Sequence, residues 1–134
     1  MREILFRAKS AGEWVHGYYT FYPHGFQTAG VPTHVMRDTN SHPGALHLVN
    51  PETIGQYTGL TDKNGRKIFE GDIVQYSKIG ALGKVVWYEG DYIGFAVDDI
   101  YDSFQQYDRE LFDEVEVIGN IFDNPGLLKR GESE

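Results

Sequence analysis

The chain has 134 residues, 24% of them charged, with a formal net charge of −8, a length that fits one domain burying roughly two thirds of its unfolded surface without a metal or disulfide staple. There is no cysteine, which excludes disulfide frameworks, thiolate zinc sites and cysteine nucleophiles and suits a reducing interior. The opening Met1–Arg7 holds no apolar run of signal-peptide length, and no segment reaches the roughly eighteen continuous apolar residues of a membrane helix, so a cytoplasmic protein is expected.

Ile4–Lys9 and Trp14–Phe21 are β-prone flanks around the turn composition of Ser10-Ala11-Gly12-Glu13, which predicts a first hairpin. Between Pro23 and Pro43 the chain is punctuated by Gly25, Gly30 and Pro32 and carries His24, His34 and His42 with little periodicity; a long loop or a loosely paired excursion, mobile in either case, is expected there. Ala45–Val49 reads as a strand. It ends at Asn50-Pro51-Glu52, because proline fixes φ and donates no ladder bond. Residues 1–55 are thus expected to form an N-terminal β-hairpin subdomain.

Six short apolar runs follow: Gln56–Leu60, Lys67–Phe69, Ile73–Ser77, Lys84–Tyr88, Tyr92–Val97 and Val115–Ile121. Their turn-rich separators predict a small β-barrel over residues 56–125. Asn64-Gly65 tolerates positive φ at both central positions of a tight hairpin, and Gly71, beside Asp72, marks a second sharp turn. The insert Asp98–Phe112 sets Phe104, Tyr107, Leu111 and Phe112 at three-and-four spacing behind Asp102 as a cap, predicting one short amphipathic helix. Gly119-Asn120 reads as a bulge or a close backbone approach, and residues 126–134 as a frayed tail. The fold class expected is mainly β within α+β.

The charge is unevenly placed. In residues 1–55 four cations and four carboxylates cancel, whereas Glu89 to Glu116 holds ten carboxylates against Arg109 alone. Such a surface repels phosphate backbones, and Lys63, Arg66 and Lys67, the nearest basic candidates, sit around a turn where solvated charge is ordinary. His42 and His47 are spaced to suggest a metal pair but lack a third ligand or a recognised ligand pattern, so they read as loop and strand histidines. Asp98, Asp99 and Asp102 lack the calcium-loop pattern and read as a solvated face. Ser10, Ser41, Ser77, Ser103 and Ser133 stand in no nucleophile context, and no phosphate-cradling glycine loop occurs. The aromatics Trp87, Tyr88 and Tyr92 flank one turn and form the candidate binding surface, a stacking platform on the barrel. On a strand Trp87 and Tyr88 face opposite sides, so only one of them is free to bind. No catalytic residue, cofactor or metal site is indicated.

The segments Arg2–Ala8 and Gly12–Tyr18, the block Pro51–Leu60 with Asp62-Lys63-Asn64-Gly65 and Ile68–Val74, and the closing Val117–Pro125 together resemble the YopX family, proteins encoded mainly by phages and prophages. The resemblance implies a variable N-terminal part joined to a C-terminal SH3-like barrel, and no assigned activity. Its motif positions are mostly Gly, Asn, Asp and β-formers, the residues a barrel needs at its turns. The functional expectation is a non-catalytic binding or assembly module that contacts a protein partner or self-associates as a homo-oligomer. A nucleic-acid accessory protein and an enzyme with a metal or carboxylate site are the alternatives.

Overall fold

The computed structural model describes residues 3–75, 82–89, 93–99, 104–106 and 115–129. The chain is mainly β with two antiparallel sheets, and it divides into two compact units, Met1–Tyr57 and Thr58–Glu134.

In the first unit, β1 (Phe6–Ser10) and β2 (Glu13–Tyr22) form a hairpin paired from Ser10↔Glu13 to Phe6↔Gly17. Two residues connect them, Ala11 at φ 52° and Gly12 at φ 82°, so this turn, rather than Asn64-Gly65, holds the pair of positive φ angles whose twist matches right-twisted strands. β3 (Thr33–Asp38) pairs with β2 from Gly17↔Asp38 to Tyr22↔Thr33. β4 (Leu46–Leu48) pairs with β3, and β5 (Gly55–Thr61) begins beside β1 at Phe6↔Gln56. The order is β4-β3-β2-β1-β5. One face buries Ala8, Val15, Met36 and Val49, with Phe6, Tyr19 and Ile54 packed against them. The β2 and β3 backbones approach so closely at Gly17 that an added methyl would overlap the Arg37 carbonyl. A 3₁₀ turn, Pro51–Thr53, follows β4; the Asn50 side chain accepts the Glu52 N–H at 3.0 Å, and buried Thr53 accepts the Lys9 N–H at 2.8 Å.

The second unit contains the end of β5, β6 (Lys67–Phe69), β7 (Asp72–Gln75), β8 (Leu82–Glu89), β9 (Ile93–Asp99), β10 (Phe104–Gln106) and β11 (Glu116–Asn120). Its five-stranded sheet is ordered β10-β9-β8-β7-β11. Ile68, Val74, Val85, Phe95, Val97, Val115 and Val117 make its core, joined by half-buried Leu60. β11 carries a register shift between Val117 and Gly119, while Gly119 and Asn120 themselves pair with Ile73 and Asp72. A second 3₁₀ turn occupies Pro125–Lys129.

Three expectations are corrected. The stretch from Pro23 to Pro43 contains β3, six residues of ladder. It escaped notice because four of its six positions are buried, Thr33 and Val35 on one face and Met36 and Asp38 on the other, which blurs the alternation that marks a half-exposed strand. Within Asp98–Phe112, Phe104–Gln106 is a strand paired with β9 rather than part of a helix; Tyr107, Leu111 and Phe112 lie outside the described residues. The third correction is at Asn64, whose φ is not positive. Gly65 N–H donates to the Asp62 carbonyl at 3.0 Å and Asp62 N–H to the Arg66 carbonyl at 2.8 Å, the pattern of a three-residue loop with glycine in the left-handed region.

Gly65 and Gly71 have φ of 82° and 92°, a region that costs a β-branched side chain dearly. Gly65→Val and Gly71→Val are each expected to destabilise by about 1–3 kcal/mol. Thermal melts check this, and unchanged melting temperatures in both variants would contradict it.

Candidate binding surfaces

The strands are short, and aspartate or asparagine side chains close the connections between them. Asp62 is the most heavily used. Its Oδ1 accepts the backbone N–H of Asn64 and of Arg66, each at 2.9 Å, and its Oδ2 accepts the Val117 N–H at 2.9 Å. Lys63 N–H donates to the Val115 carbonyl at 3.0 Å, so the turn covers the outer edge of β11, which would otherwise present unpaired backbone. Burial raises the pKa of the Asp62 carboxyl, but the three N–H donors and the Arg66 guanidinium outweigh it and hold the group below the ordinary carboxylate range. Buried Asp72 accepts the Phe69 N–H at 2.8 Å across the Gly71 turn. Asn120 accepts the N–H groups of Phe122 and Asp123 and donates its amide to the Asp123 carboxylate.

Asp38 does the same work in the first unit. Its carboxylate accepts from Asn40 N–H at 2.7 Å and His42 N–H at 3.0 Å. The Asn40 bond does most to hold its pKa below the ordinary value, against burial and with help from His42, His47 and Ser41. His47 Nε2 lies 3.8 Å from Asp38 Oδ2 and makes no hydrogen bond. Asp38 is thus met by the backbone of His42 and the side chain of His47, and among the described residues no group of three metal-ligating side chains gathers. Asn64 and Gly65, Gly71 and Asp72 are placed as turn residues, as set out above. Lys63 and Asn64 both reach Glu116, at 3.7 and 3.3 Å.

Of the candidate aromatic platform, Trp87 is described in full. It lies on β8 opposite Phe95 of β9, with the rings edge to face at 5.1 Å and its indole N–H donating to Glu89 Oε1 at 3.0 Å. It shares the face of Val85 and Val97 yet remains 44% exposed, so it extends the core at its rim instead of choosing between core and solvent. The Tyr88 side chain and Tyr92 lie outside the described residues.

Sequence reasoning missed a second surface. On the face of the first sheet opposite its core, the register aligns Tyr18 of β2, Arg37 of β3 and Leu46 of β4 in one row and Thr20, Val35 and Leu48 in the next. Tyr18, Leu46 and Leu48 are 56%, 41% and 53% exposed, and Arg37 is exposed among them. The signal was present as Leu46 and Leu48 flanking His47, but it could be read only once β3 was recognised. On the core face a line of rings runs from Phe6 through Tyr19 and His34 to exposed Phe21. Tyr19 hydroxyl and His34 Nδ1 share a hydrogen bond of 2.6 Å, and burial raises the Tyr19 pKa.

The family model described as "YopX protein" matches residues 6–129. Among solved structures, the chain is similar to the crystal structure of protein EF1440 from Enterococcus faecalis, with 25% identity and a TM-score of 0.59, covering 96% of this chain and 99% of that one. No curated protein matches. No helix among the described residues is long and apolar enough to cross a membrane.

Asp62→Asn keeps the shape of the side chain but loses the charge that three N–H groups face, and it is expected to cost about 1.5–3 kcal/mol at neutral pH. Because the folded pKa is depressed, the contribution is complete above the ordinary carboxylate value, about 3.9, and fades as pH falls through the lower folded value. Urea melts from pH 7 to pH 3 should show wild type and variant converging toward the acid end; a gap independent of pH would contradict the assignment.

Proposed function

The chain belongs to the YopX family, and from that membership we propose that it is a non-catalytic accessory protein of a phage or prophage, acting in the host cytoplasm as a binding or assembly module. The observation that carries this reading is the row of exposed apolar side chains, Tyr18, Leu46 and Leu48, on a sheet whose other face already holds the core. Apolar surface left in water on a rigid sheet favours association by roughly 25 cal/mol per Å² when covered, and aromatic and arginine side chains at its centre are the usual anchors. Within the same proposal the second unit is an SH3-like barrel. Supporting that is its connectivity: β7, β8, β9 and β10 form a meander and β11 returns beside β7. Trp87 at the rim of that unit is its candidate contact residue.

A nucleic-acid role has one feature in its favour, the stacking of Arg7 and Lys9 over Trp14 at 4.7 and 5.2 Å. The net charge of −8 opposes it. Non-specific DNA affinity at physiological salt is therefore expected to be weaker than ~10⁻⁴ M, and a polarisation titration showing micromolar, steeply salt-dependent binding would reverse the ranking.

In-cell cross-linking with mass spectrometry tests the leading reading. Wild-type protein should give defined protein or self cross-links that Leu46→Glu abolishes while its melting temperature stays within a few degrees. Identical cross-links from both proteins would remove the patch from the function.

A further inference from the structure

β4 is the terminal strand of its sheet, and its hydrogen-bond register shows which groups it leaves open. Asp38 N–H donates to the Ala45 carbonyl at 2.8 Å and Val49 N–H to the His34 carbonyl at 3.0 Å, with Met36 opposite His47 between them. In an antiparallel pair the bonded positions alternate, so Ala45, His47 and Val49 point their backbone groups at β3. Leu46 and Leu48 point theirs away. The two residues with outward backbone groups are also the two with exposed apolar side chains.

The face those side chains share has a definite sign. Its strand positions are Trp14, His16, Tyr18, Thr20 and Tyr22 on β2, Thr33, Val35 and Arg37 on β3, and Leu46 and Leu48 on β4. None of them is a carboxylate, and exposed Arg37 stands one strand in from the open edge. An incoming strand that pairs with β4 would set its alternate side chains beside Leu46 and Leu48, within reach of the guanidinium.

Resting on the binding-module reading, we propose that β4 is a docking edge for an acidic, extended peptide segment of a partner protein, which adds as a further strand, lays alternate apolar side chains on Leu46 and Leu48 and places a carboxylate at Arg37. A ladder of main-chain bonds needs a polypeptide to reciprocate it, which sets nucleic acid aside. The charge of the face selects an acidic strand over a basic one.

Leu48→Pro separates this from docking on the face in general. The Leu48 N–H points outward, so proline removes a donor to the incoming strand without removing a bond to β3, as edge positions allow. The probes are fluorescein-labelled ten-residue peptides of alternating Glu and Val or Lys and Val, and a labelled oligo-dT, read by fluorescence polarisation. The Glu–Val peptide should bind with a Kd below about 1 mM. Leu48→Pro and Arg37→Glu should each weaken it about tenfold with melting temperatures preserved, and Arg37→Glu should shift preference to the Lys–Val peptide. No saturation by the Glu–Val peptide, preference of wild type for Lys–Val or oligo-dT, or indifference to Leu48→Pro would overturn the proposal. So would a wild-type dimer in sedimentation that Leu48→Pro dissociates, since the occupant would then be a second copy. If Leu46→Glu abolishes in-cell cross-links while Leu48→Pro leaves them intact, the edge proposal fails and the binding-module reading stands; if neither variant changes them, both fail.

Discussion

A carboxylate buried without cations enough to neutralise it must be surrounded by hydrogen-bond donors, and the second unit is arranged around that requirement at Asp62. Three backbone N–H groups from two separate elements converge on it, and each such bond to a charged acceptor is roughly twice as strong as a neutral one. The side chain does what a strand would otherwise do, accepting from an edge that has run out of partners. Chain reversal, edge protection and the alignment of β11 with its neighbours follow from one residue.

The same economy recurs wherever strands of three to seven residues must stop abruptly. Asp38, Asn50, Asp72 and Asn120 each satisfy backbone donors that the ladders leave behind. Side chains of this length compete with the backbone for its own hydrogen bonds, which makes them poor inside elements and effective at their ends. The exposed apolar and aromatic side chains lie elsewhere, at positions that the turns hold in register. Trp87 and Leu48 are both exposed because the strands that present them sit at the rim of a core or the edge of a sheet.

Much of the fold was legible because turn chemistry is local. Asn50-Pro51 and Gly71-Asp72 could be placed from their own residues, and the six runs of the C-terminal half coincide with β5, β6, β7, β8, β9 and β11. What failed depended on tertiary surroundings. β3 buries side chains on each of its faces and shows no clean alternation, and Phe104–Gln106 lies at helical spacing from later aromatics yet is held extended by β9, a case of tertiary pairing overriding pattern. Asn64 was assigned an unusual backbone angle that its own loop does not need, because Asp62 supplies the reversal and Gly65 alone takes the left-handed conformation. Of the candidate site, Trp87 was identified and its rim position was not. The exposed row through Arg37 was invisible without β3.

The bond from Val117 to Asp62 spans 55 residues, which has a consequence for how the chain is made. During synthesis from the N-terminus, β5 and the turn after it emerge long before β11 exists, and until then the carboxylate has only its two local donors and a face open to water. The ladders joining β1 to β2, β2 to β3, β3 to β4 and β1 to the start of β5 lie within Met1–Tyr57 and can settle early. In the second unit, the Asp62 turn cannot gain its Val117 bond until β11 leaves the ribosome, and closing so long a loop is slow. Any chain ending before Val117 would therefore lack one of the three backbone donors that the Asp62 carboxylate meets in the folded unit.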